Sequence, residues 1–509
     1  MRIELHDGYV RVVSAHEMPT ELCKSLTYTR KDMRVEEDSE NPYRRKRQMK
    51  FIPTPCYTLS VEVGDGAKPL QVLTTMPGFA HRIINCLPSA QVVDLRTPMP
   101  KPDIKAALQG LRDYQLKGAV KALLSGGGVI GCPTGWGKTR LMSAILRAFK
   151  PEDLIVRGTP LSVVTAYDTA ICRQTYLSFK EILPEREIGL VMTGYNIRSE
   201  DIQVISLDSL GKLDPADIGI LIVDEAHEAA SEKRSARISR VHMATRWGAS
   251  ASAEGRFDNS DLVTEGLLGP VVYERTYQQA VEDGALVPIE VIWLRAPKPD
   301  CGMHQFQHYK QRETKYRHAV ERNPAMVTVL KQLLESIPDE KQTLCIMQHT
   351  AQMDALAPVI PSVKYVHAKT QQAQLIKAQQ YDLVAVSSKE RDELYDEFKS
   401  GRLRKIMATY VYKQGVDFPD LSVLIQAGGG GSKIAAIQIP GRASRNIDGK
   451  DKSYVIEFLH DWDETVGPDG KKKPGTLLRD DKSRMSTYKK LGFRQIRVDT
   501  VEEVLSAIQ

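Results

Sequence analysis

The amino-acid sequence predicts an α/β protein in which a small first region precedes two larger α/β regions. The chain has 509 residues, more than one hydrophobic core usually serves, so two or three domains are expected. Apolar runs of strand length alternate with amphipathic helical patterns over residues 106–290 and again over 320–465. We therefore expect one α/β domain in each of these regions, with residues 466–509 packing on the second as an extension.

Residues 1–105 form the first region, which we predict to be a small separate domain. Short β-like runs such as 57–63 alternate with turn residues, and the proline-rich segment 97–102 predicts a linker at its end. Basic and aromatic residues interleave between positions 43 and 51, as on a phosphate-binding surface. We expect this run to bind nucleic acid, the alternative being a solvated charged face or a targeting-like patch. Its central residues are Arg44, Arg45, Lys46 and Arg47.

Residues 131–139, Gly-Cys-Pro-Thr-Gly-Trp-Gly-Lys-Thr, predict a pocket for the phosphates of a nucleotide. A glycine-rich turn lets backbone N–H groups converge on phosphate oxygens, a lysine neutralises their charge, and the next hydroxyl binds Mg²⁺. Lys138 and Thr139 would take the last two roles. A short apolar strand precedes the loop and a helical pattern follows it, which is the order such a pocket requires. An ordinary glycine-rich turn with a chance lysine is the alternative.

A second motif is the acidic pair Asp224 and Glu225, which ends the apolar run 219–223. An acid at the end of a buried strand can hold Mg²⁺, and a neighbouring carboxylate can polarise the attacking water as general base. We assign the metal to Asp224 with Thr139, and the base to Glu225. A zinc site of the H-E-x-x-H type is excluded because Ser231 replaces the second histidine. The other alternative is an acidic pair that only caps a helix.

The third motif is the block 438–445, which contains Arg442 and Arg445. Arginines three residues apart would share one face of a helix. The alternative is that this face is simply basic and exposed to solvent, with no functional role. Together the three motifs resemble those of superfamily 2 nucleic-acid helicases and translocases with a DEAH sequence, over about residues 108–460. The resemblance implies two tandem RecA-like domains that form a helicase core, preceded by a small α+β domain. It also implies ATP and Mg²⁺ as cofactors.

The same resemblance implies roles for individual residues. Arg442 and Arg445 would reach the γ-phosphate and stabilise the charge that develops in the transition state, and Gln115, with Arg112 beside it, would recognise adenine. Coupling of hydrolysis to movement is implied for Ser250, Ser252 and Gln438. The other implied nucleotide contacts are Pro133, Thr134, Gly135, Trp136, Gly137, Gly415 and Asp417. The implied nucleic-acid contacts are Tyr167, Arg173, Ser206, Ser209 and Thr409.

A closer resemblance is to the bacteriophage UvsW-type branch-migration helicases, relatives of XPB and RecG. Residues 248–250, 282–284, 322–323 and 431–434 carry this likeness. It implies a helicase or translocase that couples ATP hydrolysis to the remodelling of forked or branched DNA, including Holliday junctions, in replication, recombination or repair. Two alternatives remain open: an RNA helicase, and a double-stranded DNA translocase subunit that does not separate strands.

Composition restricts location and partners. The net charge of +6 is mild, so phosphate binding would depend on local patches. No apolar stretch reaches membrane-spanning length and the first residues do not form a signal peptide, so we expect no membrane partner. The seven cysteines contain no C-x-x-C pair, which predicts a reducing compartment and no metal cluster. We expect a cytoplasmic monomer, in the host cytoplasm if the gene is a phage gene. The glutamine-rich stretch 371–380 favours a solvated helical insertion over a functional arm.

Overall fold

The computed structural model gives the fold of most of the chain. It describes residues 1–38, 41–63, 69–156, 158–251, 261–300, 316–367, 388–409, 418, 420–428, 440–447, 450–466 and 472–509. These residues divide into two compact units. The first comprises Met1–Cys132 and Gly137–Arg275, and the second comprises Pro133–Trp136 and Thr276–Gln509.

The N-terminal part of the first unit is a five-stranded sheet with two short helices. The helices are Thr20–Ser25 and Ala80–Cys86. In sheet order, the strands are Tyr57–Glu62, Leu70–Thr75, Val10–Ser14, Arg2–Leu5 and Gln91–Asp94. A separate antiparallel hairpin pairs Thr27–Asp38 with Asn41–Pro55.

This N-terminal sheet has its own apolar core, in which Ile3, Val12 and Phe79 are fully buried. Leu262, from the helix Asp261–Leu268, packs against the same core. Beside it the Arg82 guanidinium donates two hydrogen bonds to Glu265 Oε1, at 3.0 and 2.8 Å, and one to Oε2 at 2.6 Å. Residues 1–105, expected to form a separate domain, thus lie in the same compact unit as the α/β sheet that follows.

An eight-stranded sheet forms the rest of the first unit. Its strands, in sheet order, are Tyr195–Ile197, Ile188–Met192, Ile202–Ser206, Leu161–Ala166, Ile218–Asp224, Thr245–Ser250, Gly128–Gly131 and Val271–Glu274. Its helices are Ile104–Ala107, Asp113–Leu124, Lys138–Ala148, Pro151–Val156, Thr169–Ile182, Glu232–Arg240 and Asp261–Leu268, with 3₁₀ turns at Leu207–Lys212, Pro215–Asp217 and Ala226–Glu228. Every pairing is parallel except that of the first two strands.

The central strands of this sheet are buried along their whole length. All seven residues of Ile218–Asp224 and all six of Leu161–Ala166 are buried, as is usual for parallel strands covered by helices on both faces. Continuous apolar runs therefore mark these strands in the sequence. Because parallel strands end at one edge, the loops that follow them are brought together there.

The second unit contains a seven-stranded parallel sheet. Its strands, in sheet order, are Lys364–Val366, Lys405–Ala408, Thr343–Ile346, Val423–Gln426, Ser453–Leu459, Ile289–Arg295 and Arg494–Val498. Its helices are Tyr277–Glu282, Pro324–Ser336, Thr350–Leu356, Ser388–Lys399, Thr476–Lys490 and Val501–Ile508, with a π turn at Arg317–Glu321, 3₁₀ turns at Ala357–Val359 and Pro440–Arg442, and a hairpin of Glu464–Val466 with Lys472–Pro474. A large apolar core that includes Ile292, Ile456 and Val504 supports this sheet.

The limits of the two units differ from the domain limits expected from the sequence. The second unit begins at Thr276, whereas the first domain was expected to extend to residue 290 and the second to begin at residue 320. The strand Ile289–Arg295 belongs to the second sheet, because it pairs with Ser453–Leu459 and with Arg494–Val498. Residues 466–509, expected as an extension, contribute the strand Arg494–Val498 and the core residue Val504 to the same sheet layer. Within the described part of the chain, no helix has the length and apolar character needed to cross a membrane.

Candidate nucleotide-binding site

The glycine-rich loop lies between the buried strand Gly128–Gly131 and the helix Lys138–Ala148. Gly135 and Gly137 have φ values of +87° and +102°, which residues with a side chain rarely adopt. A Cβ atom at Gly137 would also lie 2.2 Å from Nε2 of Gln115. The loop conformation therefore requires glycine at position 137 for two separate reasons.

The lysine and hydroxyl of the motif lie in the first turn of the helix that follows the loop. Lys138 and Thr139 are half-buried, and Lys138 Nζ donates to the Cys132 carbonyl at 3.2 Å. Within the loop, the Trp136 N–H donates to the Pro133 carbonyl at 3.2 Å, and the Trp136 side chain is fully buried. The ammonium group thus lies over the loop, at a helix N-terminus that favours anions, so these residues fit the phosphates of a nucleotide.

Gln115 is fully buried beneath the loop. Its Oε1 accepts from the Arg112 N–H at 3.1 Å, and its Nε2 lies 3.5 Å from the Gly137 carbonyl. The Arg112 side chain is exposed and donates to the Tyr114 hydroxyl at 2.7 Å. In this conformation the Gln115 amide supports the loop, and the predicted recognition of a purine edge would require it to exchange these contacts.

The acidic pair lies at the end of the strand Ile218–Asp224. Asp224 is buried, and Glu225 has a φ of +50°, the only positive φ of a non-glycine residue in the described chain. The Glu225 N–H donates to Asp224 Oδ1 at 2.9 Å. Burial and the adjacent Glu225 carboxylate raise the pKa of Asp224 to about 6, and the positive charge of Lys138 acts in the opposite direction.

Strand register brings the motifs together at one sheet edge. Asp224 pairs with Ala249, and the next residue, Ser250, pairs with Gly131 at the start of the loop. The Cys132 N–H donates to the Ser250 carbonyl at 2.9 Å. Carboxylate and hydroxyl oxygens are suitable Mg²⁺ ligands, so Asp224 and Thr139 are the residues here that could hold that ion.

His227 connects the acidic motif to the strand that ends at Ser250. Its side chain is buried, and its Nδ1 lies 3.0 Å from Ser250 Oγ and 3.3 Å from Glu225 Oε2. Its Nε2 lies 3.7 Å from Glu228 Oε1. The histidine therefore joins the predicted general base to the predicted coupling serine through direct contacts.

The prediction of a helix for the arginine block, residues 438–445, is wrong. Pro440–Arg442 forms a single 3₁₀ turn, and Arg445 lies in an isolated antiparallel bridge with Leu286. The Ser444 hydroxyl donates to the Gly441 carbonyl at 2.8 Å, and the Val287 N–H donates to the Ser444 carbonyl at 2.8 Å. Residues 444 and 445 bond to residues 286 and 287 instead of forming helical backbone hydrogen bonds. Arg442 and Arg445 therefore do not share a helix face.

Comparison with known proteins identifies the domains that contain the two large sheets. Residues 109–251 match the family described as "Type III restriction enzyme, res subunit", and residues 325–447 match "Helicase conserved C-terminal domain". The chain carries the two RecA-like domains of a superfamily 2 helicase. The predicted fold class is thereby confirmed.

The relatives of this helicase core share about a quarter of their residues with it. The DNA 3'-5' translocase XPB2 of Sulfurisphaera tokodaii is 26% identical over 71% of this chain and 84% of its own length. Five further relatives are 23–25% identical, and the chain spans between half and two thirds of their lengths.

Solved structures with TM-scores above 0.5 share the fold of this chain. Saccharomyces cerevisiae Dbp5 bound to RNA and ADP BeF3 has a TM-score of 0.52 at 16% identity, over 80% of this chain and 99% of its own. T4 UvsW aligns over 98% of this chain and 99% of its own at 15% identity, with a TM-score of 0.36.

The residues predicted to contact nucleic acid in the helicase core fall into two groups. Tyr167 and Arg173 are exposed, after the strand Leu161–Ala166 and in the helix Thr169–Ile182. Ser206, Ser209 and Thr409 are buried, with at most 8% of their surface exposed. Contacts by the buried three would have to use their backbone groups or follow a rearrangement.

Several predicted residues lie outside what the structure describes. These are Ser252, Gly415, Asp417, Gln438, the stretch 371–380 and the side chain of Arg442. The strand Asn41–Pro55 includes Arg44, Arg45, Lys46 and Arg47. The structure describes the backbone of these four residues and not their side chains.

Sequence reasoning missed three residues that the structure places beside these motifs. His227 and Arg234 flank Glu228, and Lys450 donates to the Ala443 carbonyl of the arginine block at 2.6 Å. The basic composition of residues 232–240, directly after the acidic motif, was a signal for Arg234. Lys450 had no such signal, because its partner atoms are backbone carbonyls.

Proposed function

We propose that this protein is an ATP-dependent DNA helicase or translocase that remodels forked or branched DNA. The observation that carries the proposal is the meeting of the glycine-rich loop, Asp224, Glu225 and Ser250 at one edge of the first parallel sheet. Superfamily 2 helicase domains contain this arrangement within an ATP-dependent motor. We infer that ATP binds at this edge with Mg²⁺.

The proposed chemistry assigns one task to each group. The backbone N–H groups of the loop and Lys138 hold the phosphates, and Thr139 and Asp224 hold Mg²⁺, which neutralises developing phosphate charge when bound. Asp224 must be ionised for this role, and the nearby charge of Lys138 favours that form. Glu225 orients and deprotonates the attacking water. Arg442 and Arg445 supply positive charge that stabilises the transition state.

We propose DNA as the substrate because most of the curated relatives are named for activity on DNA. Four of the six curated relatives are named as DNA 3'-5' helicases or translocases, including the one matched over most of its length. We extend this to branched DNA from the residues that resemble the branch-migration helicases, 248–250, 282–284, 322–323 and 431–434. The proposal includes a monomeric motor, with the basic run 44–47 as an additional DNA contact.

The deciding experiment compares a synthetic four-way DNA junction with a simple tailed duplex in the presence of ATP and Mg²⁺. The Lys138→Ala variant controls for contaminating activity. Faster, Lys138-dependent processing of the junction is the expected result. DNA-stimulated hydrolysis without junction or duplex products would instead identify a translocase that does not separate strands. Absence of any nucleic-acid-stimulated hydrolysis would overturn the proposal.

An RNA helicase is the second candidate, since the same core can act on either nucleic acid. Dbp5, which shares the fold, was solved bound to RNA. Recognition of the RNA 2'-hydroxyl would separate the two substrates. Stimulation of hydrolysis by matched single-stranded and duplex DNA and RNA, alone and in competition, distinguishes them, and stronger stimulation by RNA would reverse the assignment.

A further inference from the structure

Tyr167 and Arg234 form a stacked pair at the edge of the first parallel sheet. The guanidinium carbon of Arg234 lies 3.7 Å from the centroid of the Tyr167 ring. Tyr167 directly follows the strand Leu161–Ala166 and is 42% exposed, whereas the Arg234 side chain, in the helix Glu232–Arg240, is only 17% exposed. The pair therefore presents an aromatic ring to solvent above a largely covered cation.

Arg234 also contacts the acidic motif. Its guanidinium forms an ion pair with Glu228 and donates to the Glu228 carbonyl at 3.1 Å. Glu228 lies 3.7 Å from His227 Nε2, and His227 Nδ1 lies 3.3 Å from the carboxylate of Glu225. A continuous series of contacts thus extends from the exposed Tyr167 ring to the proposed general base.

The surroundings of this pair suit a nucleic-acid backbone. The helix Glu232–Arg240 carries Lys233, Arg237 and Arg240 besides Arg234, against a single carboxylate at Glu232. Arg173 is also exposed, on the helix that begins two residues after Tyr167. Phosphodiester strands are bound by such cations, and an exposed aromatic ring adds a platform on which a base can stack.

We propose that Tyr167 and Arg234 bind the DNA backbone and report its presence to the hydrolysis site. Both contacts of Arg234 with Glu228 use one guanidinium nitrogen, Nη1. A backbone phosphate that binds the guanidinium fork at two points competes with the Glu228 carboxylate for that nitrogen. Release of Glu228 removes one contact of His227, which then changes its position against Glu225 and Ser250. Arg234 is a positioning residue in this scheme, and the inference rests on the proposed function.

The test compares Arg234→Ala with Arg237→Ala. Arg237 lies one turn further along the same helix and forms an ion pair with Asp208, so both variants remove one paired cation from one surface. Hydrolysis is measured with and without saturating duplex DNA, together with the DNA concentration that gives half-maximal stimulation. We expect Arg234→Ala to lower the stimulation ratio at saturating DNA by about fivefold or more. Arg237→Ala removes a cation with no contact to the acidic motif among the described residues, so it should change the half-maximal DNA concentration and leave the ratio at saturation within about twofold of the wild type.

Two further comparisons keep the test decisive if Arg234→Ala does not fold. Tyr167→Phe keeps the ring and should retain stimulation, whereas Tyr167→Leu should lower it by a similar factor. Glu228→Gln weakens the ion pair, so it should raise hydrolysis without DNA by about threefold or more. A purely structural role for Arg234 would not produce that rise.

Failure of this inference is distinguishable from failure of the proposed function. Equal stimulation ratios in the wild type, Arg234→Ala and Tyr167→Leu would overturn the role of the pair while leaving the DNA-dependent motor intact. A wild-type protein whose hydrolysis does not respond to DNA would overturn both.

Discussion

His227 Nδ1 lies 3.0 Å from Ser250 Oγ, and both side chains are buried. His227 follows the strand Ile218–Asp224, and Ser250 is the last residue of the neighbouring parallel strand Thr245–Ser250. The contact therefore joins two segments that the sequence separates by 23 positions. A change in nucleotide state that moved the acidic motif would therefore be felt at Ser250 through this hydrogen bond.

The first prediction concerns this hydrogen bond. His227→Ala and Ser250→Ala should each lower DNA-stimulated kcat/KM by about tenfold, and the double variant should be little worse than either single variant, because residues in contact are not additive. Steady-state kinetics of all four proteins give the coupling energy. Ser235→Ala removes an exposed helix hydroxyl as the control. Fully additive losses would show that the contact transmits nothing.

The second prediction concerns the glycine-rich loop. Gly137→Ala should weaken ATP binding by about tenfold or more, because its Cβ would overlap Gln115 Nε2 and its φ is +102°. Gly126→Ala is the matched control, since Gly126 also has a positive φ, +64°, but open space around its Cβ position. Equilibrium binding of a fluorescent ATP analogue measures the affinity of both variants and of the wild type. Equal losses in the two variants would assign the effect to backbone strain alone.

The third prediction concerns Arg445. Arg445→Ala should lower ATP turnover by about 10³-fold while the Kd for ATP changes little, since the side chain acts mainly on transition-state charge. Arg445→Lys should recover only part of the rate because lysine lacks the planar fork. Arg402→Ala, an exposed arginine of the same unit, serves as the control. Normal turnover of Arg445→Ala would refute the assignment.

The fourth prediction concerns Lys450, whose Nζ donates to the carbonyls of Leu421 and Ala443 at 2.6 Å each. Burial lowers the pKa of this lysine to about 8, with Asp420 acting in the opposite direction. Between pH 8 and the unfolded value of 10.5 the unfolded chain binds more protons, so stability contributed by this group rises with pH over that window. Below about pH 8 Lys450 is charged in both the folded and the unfolded chain, so burial of its charge lowers stability most there.

Chemical unfolding of the wild type and Lys450→Met at pH 7.5 and 9.5 tests whether the stability contributed by Lys450 rises with pH. The wild type should gain stability relative to the variant at the higher pH, by about 1 kcal/mol or more. Lys450→Arg, which stays charged throughout, should show no gain. A difference between wild type and Lys450→Met that is independent of pH would contradict the lowered pKa.

Local sequence signals were sufficient where the determinants were local. The buried run before Asp224 and the glycines of the loop predict the strand, the turn and the acid at the strand end, because each depends on neighbouring residues. The signals failed where distant backbone decided the structure. Arg445 is drawn into a bridge with Leu286, and Ile289–Arg295 pairs with a strand more than 150 positions later, which moved the limit of the second unit.

The burial of Gln115 also was not readable from the sequence. Its residue type suits a purine edge, and only the three-dimensional position of Gly137 shows that the amide lies beneath the loop. Likewise, the contact of Arg234 with Tyr167 depends on the helix Glu232–Arg240 lying beside the residue that follows the strand Leu161–Ala166.

The pairing of Ile289–Arg295 with Ser453–Leu459 and Arg494–Val498 has a consequence for biosynthesis. Trp293 Nε1 donates to Gln495 Oε1 at 2.9 Å across 202 positions of sequence. The first unit can fold as it leaves the ribosome, whereas the first strand of the second sheet must wait, with apolar surface uncovered, for partners made many seconds later. Such non-local closure is slow, and we expect this stretch to be where chaperones engage the nascent chain.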